Sequence, residues 1–452
     1  MSVKSPAKLS ASSPAQGASQ NGGHPNDEHG VLESEFEREP VPLSHRHSTR
    51  SVSAVWFGFP MVLTNAVFGG IIAYHLGFWQ AILAALLGNA ALFAYVGALS
   101  YIAGESGLNF ALQARKTFGA HGYTIASLFL STIVVGWYAF QVGLTGATLN
   151  ATYGWNVSLI VVIATVLYTA VTFLGVRALS IVGMIAAPLF IILGVVALFF
   201  IEGKSTLSHV TSFTGTGTGM SLGVAMTMVI AGFADSGTMT SDFTRWSKSG
   251  RHGLLASFSA FPVANFISLM FGIIIVSAGA AVDPSKTGGD FMPLLKGHGE
   301  LMTLLSIAFV FVNLGSVCTH CLYNGAVGYS HIFGSKMRVL TIILGIVGGI
   351  LAFAGIWGLF LGWLSLLGVV VPPIGAVIIA DQLILGRMRQ PRDTALYRGN
   401  AFIAWAIGAL AAVVAHVWAP EVCEALVGMV VGGVAYLAVE KLTVTQRNVE
   451  PI

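Results

Sequence analysis

The chain predicts an all-α polytopic membrane protein, and three observations carry that reading. Of its 452 residues 55% are hydrophobic and only 9% charged, whereas soluble globular chains carry about 25% charged residues. The apolar residues gather into runs near the ~20 needed to cross ~30 Å of hydrocarbon. Lysine and arginine are confined almost wholly to alternate connections between those runs, as insertion into a bilayer requires. The 54 glycines suit close helix packing and broken helices, and would weaken a water-soluble helical protein.

Residues 1–50 are rich in Ser, Gly, Pro, His and Glu and have no apolar period, so they read as a disordered tail. The acidic cluster Glu33, Glu35, Glu37 and Glu39 reads as a solvated charge run, and the stretch lacks the pattern of a secretory signal. The apolar runs fall at about 54–73, 79–103, 123–149, 157–175, 180–201, 221–240, 254–281, 301–325, 338–356, 359–380, 401–418 and 424–440. Twelve transmembrane helices are therefore expected. They divide into a transport core over 51–385, two additional peripheral helices within 386–442, and a short tail over 443–452.

Orientation follows from charge. One set of connections holds Arg115, Lys116, Arg177, Arg245, Lys248, Arg251, Lys336, Arg338, Arg387, Arg389, Arg392 and Arg398, and the other only Lys204, Lys286 and Lys296. The first set marks the cytoplasmic side, and an even number of spans puts both termini there. A cytoplasmic (inner) membrane location follows. The small net charge of +3 says little about partners, and none of this points to nucleic acid.

Spans one and six are interrupted. In the first, LTNAVFGG sets Thr64 and Asn65 among apolar residues; in the sixth, AGFADSGT brings Gly232, Asp235, Ser236 and Gly237 into an apolar run. Paired interruptions at corresponding places in two groups of five helices point to an inverted five-plus-five repeat with its binding site at the breaks, where freed backbone groups serve as ligands. Such irregular backbone is tolerated at membrane depth only against protein or a watery cavity.

Candidate side chains cluster accordingly. Trp137 and Gln141 on span three lie four residues apart and share a helix face. A ring plane beside an amide with two donors and one acceptor suits a flat, hydrogen-bonding ligand, or else a packed indole and a helix-tying amide. Phe233, at the break of span six, offers a second ring. Asp235 is the one carboxylate expected near mid-membrane; it could accept hydrogen bonds from a ligand, bind a cation or carry a transported proton. On span eight, Asn313 and Ser316 share a face, where their oxygens could join backbone carbonyls around Na+ or tie helices together. Cys318 and Cys321 read as packing, since only His320 lies near them and no metal-ligand set is complete. The Pro-Pro of VVPPIGA at 370–376 is expected to kink or break span ten, either as a hinge or gate or as a static kink.

The segments SGTMTSDFTRW at 236–246, VGWYAFQVG at 135–143, FVNLGSVCTHCLYN at 311–324 and VPPIGAVIIADQL at 371–383 resemble the nucleobase:cation symporter family, and most of all its cytosine permease-like branch. The resemblance covers about 54–440. It implies the leucine-transporter fold and uptake of a nucleobase, with cytosine foremost, driven by Na+ or H+ as coupling ion and with no cofactor. By position it makes Trp137 and Phe233 the aromatic pair around the base. Gly232, Asp235 and Asn313 would bond its edge, and Gln141 would be a polar contact as in hydantoin-transporting relatives. A sodium site would draw on the carbonyls of Gly58, Met61 and Asn313 and the hydroxyl of Ser316. Five positions depart from the pattern: Val317 replaces a second hydroxyl residue, Cys318, Thr319 and His320 replace Asn-Asp-Asn, and Asp235 replaces a small hydroxyl residue.

The expected function is thus secondary active import of a small planar nitrogen heterocycle with a cation, by alternating access. The same mechanism could serve a thiamine-precursor pyrimidine, a hydantoin-like compound or a small amine. A channel or substrate sensor fits the composition less well. An intramembrane enzyme would need a nucleophile with its base, or a metal set, and no catalytic residue is expected.

Overall fold

The computed structural model describes residues 36–201, 206–285, 287–390 and 395–449. Glu33, Glu35, Lys204, Lys286 and Arg392 lie outside the described residues. Among the described residues the architecture is helical, with no strand beyond a single bridge between His47 and Ser247. Eight helices among the described residues are long and apolar enough to cross a membrane, or nine if one bent pair is a single span. Val157–Phe173, Leu222–Ala231 and Met337–Phe353 are apolar but shorter.

The bent pair is the first crossing. α1 (Thr49–Gly58) and α2 (Leu63–Leu76) meet at 53°. Pro60 explains the break, because it has no N–H to continue the ladder. Its carbonyl instead accepts from the Val62 amide at 2.8 Å, Asn65 Nδ2 at 2.7 Å and Ser268 Oγ at 2.8 Å. The interruption therefore falls at residues 59–62, ahead of the stretch that polarity alone singled out, and Thr64 and Asn65 form the first turn of α2.

α3 (Phe78–Ser106) and the short α4 (Phe110–Phe118) lead to α5 (Gly122–Tyr153), α6 (Val157–Phe173) and α7 (Val176–Phe199). After α8 (Leu207–Thr211) the sixth run is divided into α9 (Leu222–Ala231), α10 (Ala234–Thr238) and α11 (Ser241–Thr244). Next, α12 (Gly250–Phe258) passes through a π-helical turn, Ser259–Asn265, into α13 (Phe266–Ser277). Pro262 inside that turn removes a backbone donor. The widened turn presents Asn265, whose Oδ1 accepts from Asn65 Nδ2 at 2.9 Å while its own Nδ2 donates to Asn89 Oδ1 at 2.8 Å. Three buried amides thus join α2, α3 and the π turn.

The remaining elements are α14 (Met292–Leu295), the 34-residue α15 (Glu300–Phe333), α16 (Met337–Phe353), α17 (Phe360–Val370), α18 (Pro372–Ile379), α19 (Gly399–Trp418) and α20 (Glu424–Val449). α1 lies against α7 at a glycine crossing: a Cβ on Gly58 would stand 2.5 Å from the Gly183 Cα. α2 lies against α13 so closely that a Cβ on Gly272 would overlap the Ala66 carbonyl.

The basic side of the molecule is tied together by polar contacts. Asp242, in the T-x-D-F-x-R stretch, accepts from the Phe110 amide at 2.8 Å and so holds the start of α4. Arg245 Nη1 donates to the Phe36 carbonyl at 2.7 Å. Within the stretch that composition assigns to the tail, Arg46 donates to the carbonyls of Val41 (3.1 Å), Gly104 (2.6 Å) and Ser247 (3.1 Å). Asp381, at the end of the α18 run, accepts from Thr117 Oγ1 at 2.8 Å, Tyr436 Oη at 2.8 Å and Arg387 Nη1 at 3.3 Å.

Candidate functional site

The two interrupted runs face each other across α5 and α15, and a buried cavity lies where they meet. Phe59, Val62, Thr64, Asn65 and Phe68 line it from the first crossing. Trp137 and Gln141 reach it from α5, Gly232, Phe233 and Ser236 from the sixth run, and Val317 and Cys321 from α15. Four of the six residues proposed to hold a substrate, Trp137, Gln141, Gly232 and Phe233, therefore share one cavity. Its volume is about 10 Å³, close to the ~10–15 Å³ that a single water needs. In this conformation the walls have closed together, and a heterocycle would have to part them.

The aromatic walls are braced from behind. Phe233 meets Phe59 edge-on (5.4 Å, 74°) and Phe261 likewise (5.6 Å, 63°), and Trp137 meets Phe140 at 5.6 Å and 88°. Edge-to-face packing fixes ring planes and leaves the other faces for a ligand. Gln141 is oriented as well: its Oε1 accepts from Thr64 Oγ1 at 3.0 Å. Its amide N–H groups remain available to the cavity.

Asp235 and Asn313 are placed differently, since neither lines the cavity. Asp235 is fully buried behind it. Neither carboxylate oxygen makes a hydrogen bond, although the amides of Asp235 and Ser236 lie near. A carboxyl group in that setting is costly to ionise without a partner. Asn313 spans the break in the first crossing, its Nδ2 donating to the Met61 carbonyl at 2.5 Å and its Oδ1 accepting from the Leu63 amide at 2.8 Å.

Of the residues named for a sodium site, Met61 thus has its carbonyl engaged by Asn313, and Gly58 sits at the crossing with Gly183. The Ser316 carbonyl accepts from Thr319 Oγ1 at 2.9 Å and lies 2.5 Å from His320 Nδ1. The buried Ser316 hydroxyl has no hydrogen-bond partner among the described residues. A hard cation prefers such oxygens; of the named groups the Met61 carbonyl already accepts a hydrogen bond, whereas the Ser316 hydroxyl does not.

The break of span six already pointed to Ser236, but composition did not mark Phe59, Phe68 or Cys321 as cavity residues. Phe59 could have been found from Pro60, which fixes where the helix must stop. Phe68 and Cys321 look like ordinary apolar residues in sequence, and only the packing distinguishes them.

Residues 40–439 match the family described as "Permease for cytosine/purines, uracil, thiamine, allantoin". The chain belongs to this permease family. It is 28% identical to the cytosine permease of Escherichia coli (strain K12) over 422 residues, which is 92% of this chain and 97% of the relative. It is 24% identical to the hydantoin permease of Microbacterium maritypicum over 383 residues, 77% and 76% of the two chains. Among solved structures, Mhp1, a nucleobase-cation-symport-1 family transporter, in a closed conformation with bromovinylhydantoin bound, superposes with a TM-score of 0.75 at 18% identity, covering 92% of this chain and 97% of that one. A Na+-coupled sialic acid symporter shares the fold at a TM-score of 0.66 and 16% identity, over 88% and 90%. The permease is thus a multi-pass membrane transporter of the nucleobase type with the leucine-transporter-like fold, and not an enzyme.

Proposed function

We propose that this permease imports cytosine, or a closely similar planar nitrogen heterocycle, together with a coupling cation, by alternating access. Twelve spans would carry the basic side in the cytoplasm of a cytoplasmic membrane, with both termini there. The observation that carries the reading is the convergence of Trp137, Gln141, Gly232 and Phe233 on one buried cavity at the two breaks. Two rings offer stacking surfaces to a flat base, Gln141 offers donors to an acceptor on its edge, and Gly232 leaves the main chain open to approach. Asp235 sits one residue before a cavity-lining serine. It would act on an amino group of the cargo once the walls part, or carry the proton itself.

Either Na+ or H+ would drive the cycle. The engaged carbonyl of Met61 and the apolar Val317 favour H+, whereas the unpartnered Ser316 hydroxyl favours Na+. Hydantoin-like compounds, thiamine-precursor pyrimidines and small amines remain the competing cargoes, and the 24% identity to a hydantoin permease supports keeping the first of these. Radiolabelled cytosine uptake into proteoliposomes, with unlabelled heterocycles as competitors and with Na+ present or replaced, tests the proposal. Saturable accumulation against a gradient supports it. No uptake of any heterocycle under either ion gradient would falsify it.

A further inference from the structure

Asn65 lines the substrate cavity from the first turn of α2, and the direction of its amide is set by groups outside that cavity. Its Nδ2 donates to the Pro60 carbonyl at 2.7 Å and to Asn265 Oδ1 at 2.9 Å. An amide nitrogen carries two protons, so both are engaged. A carbonyl can only accept, which makes the atom facing Pro60 the nitrogen and leaves the oxygen on the other side of the group. The row of amides continues away from the cavity: Asn265 Nδ2 donates to Asn89 Oδ1 at 2.8 Å, and Asn89 Nδ2 donates to the Ala85 carbonyl at 2.8 Å. Main-chain carbonyls thus pin the row at both ends, and reversing any one amide would set donor against donor or acceptor against acceptor. The Pro60 carbonyl can serve in this way because α1 stops before it and α2 starts after it. No donor reaches Asn65 Oδ1 among the described residues. The neighbouring Thr64 Oγ1 meanwhile donates to Gln141 Oε1 at 3.0 Å, which leaves the Gln141 N–H groups. Two cavity-lining amides, linked through Thr64, therefore offer opposite ends, an oxygen from α2 and N–H groups from α5.

We propose that Asn65 is a specificity-determining residue whose Oδ1 accepts a hydrogen bond from the cargo, from an amino group or a ring N–H, while Gln141 donates to an acceptor on the same edge. The proposal rests on the heterocycle-import reading above and narrows its substrate class. A heterocycle whose edge carries a donor beside an acceptor satisfies both amides. One without that donor leaves a buried oxygen unpaired in the closed site. A site built to hydrogen-bond its ligand rejects the analogue lacking the matching group far more strongly than an apolar pocket rejects a small change of size.

Binding to the purified full-length permease is measured by isothermal titration for cytosine, for pyrimidin-2-one, which lacks the amino group, and for 1-methylcytosine, which lacks the ring N–H. Wild type should bind one of the two analogues about tenfold or more weakly than cytosine, and which one identifies the donor that Asn65 meets. In Asn65→Ser the shorter hydroxyl can still serve Pro60 or Asn265 but is withdrawn from the cargo. Cytosine should then weaken about tenfold to match that analogue, whose own affinity stays unchanged. A steric effect of the added methyl would persist in the variant, and general loosening of the site would weaken all three ligands together. Both analogues binding wild type as tightly as cytosine, a preference for cytosine that survives in Asn65→Ser, or an equal fall for all three ligands overturns the proposal. Asn65→Ala gives the same readout if Asn65→Ser fails to fold, and the wild-type comparison stands without either. No binding of any of the three ligands by wild type would remove the import reading and this inference with it, whereas cytosine binding without preference removes this inference alone.

Discussion

Asn313 ties the gap in the first crossing to the helix that follows it, bonding the Met61 carbonyl within the gap at 2.5 Å and the Leu63 amide at the start of α2 at 2.8 Å. Replacing it with alanine would strand a buried donor and a buried acceptor, each costing about 1–3 kcal/mol. Asn313→Ala should therefore lower stability by about 2–6 kcal/mol, read as a lower unfolding temperature in detergent. Asn313→Asp keeps the acceptor for Leu63 and should lose less. Identical unfolding temperatures for wild type and Asn313→Ala would show that the break is held by other contacts.

Trp137 has the opposite profile. Stacking of a base on an aromatic ring is worth about 1–3 kcal/mol. Trp137→Ala should weaken cytosine binding by about five- to 150-fold with little loss of fold, and Trp137→Phe should recover part of it. Isothermal titration of purified protein measures this. Undiminished affinity in Trp137→Ala would remove the cavity from the substrate path.

Asp235→Asn exchanges a buried carboxyl group for an amide of nearly the same shape. If the group handles a proton or an amino group, the variant should flatten the dependence of uptake between about pH 5.5 and 8 or shift the ranking of competing heterocycles. Normal behaviour in both assays would assign Asp235 to packing.

Gly272 tests the fold. A side chain there would meet the Ala66 carbonyl, and backbone cannot yield as a flexible side chain does. Gly272→Ala should cost about 1–3 kcal/mol or more and reduce the yield of folded protein. Gly279, in the connection after α13 with nothing within 4 Å of an added Cβ, is the control for crowding, although its φ of +71° adds a smaller backbone penalty of its own.

The sequence told most where a physical signal is periodic. Hydropathy marked the helices because each crossing must bury a whole run of apolar residues. The spacing of Trp137 and Gln141 put them on one face because a helix returns every fourth residue to the same side. Direction was much less legible. Asp235 and Asn313 stand out as polar residues in apolar runs, but nothing in the one-dimensional pattern says that neither lines the cavity. The first break was read one turn late for a related reason: Thr64 and Asn65 attract notice as polar, whereas Pro60 passes as one more apolar residue although it alone removes a backbone donor. Phe68 and Cys321 carry no signal at all until the helices are packed.

The two halves of the first crossing are, mechanically, different parts. α2 is seated on α13 through contact of main chain with main chain, while α1 rests on α7 at the Gly58–Gly183 crossing. Four residues, from Phe59 to Val62, are all that joins these two assemblies along this stretch of chain, and Pro60 anchors them from the α13 side through Ser268. Any tilt of α1 must therefore be taken up as torsion in those four residues, of which Phe59 packs edge-on against the ring of Phe233. Opening a path to the basic side and loosening the grip on a bound base would then be one motion.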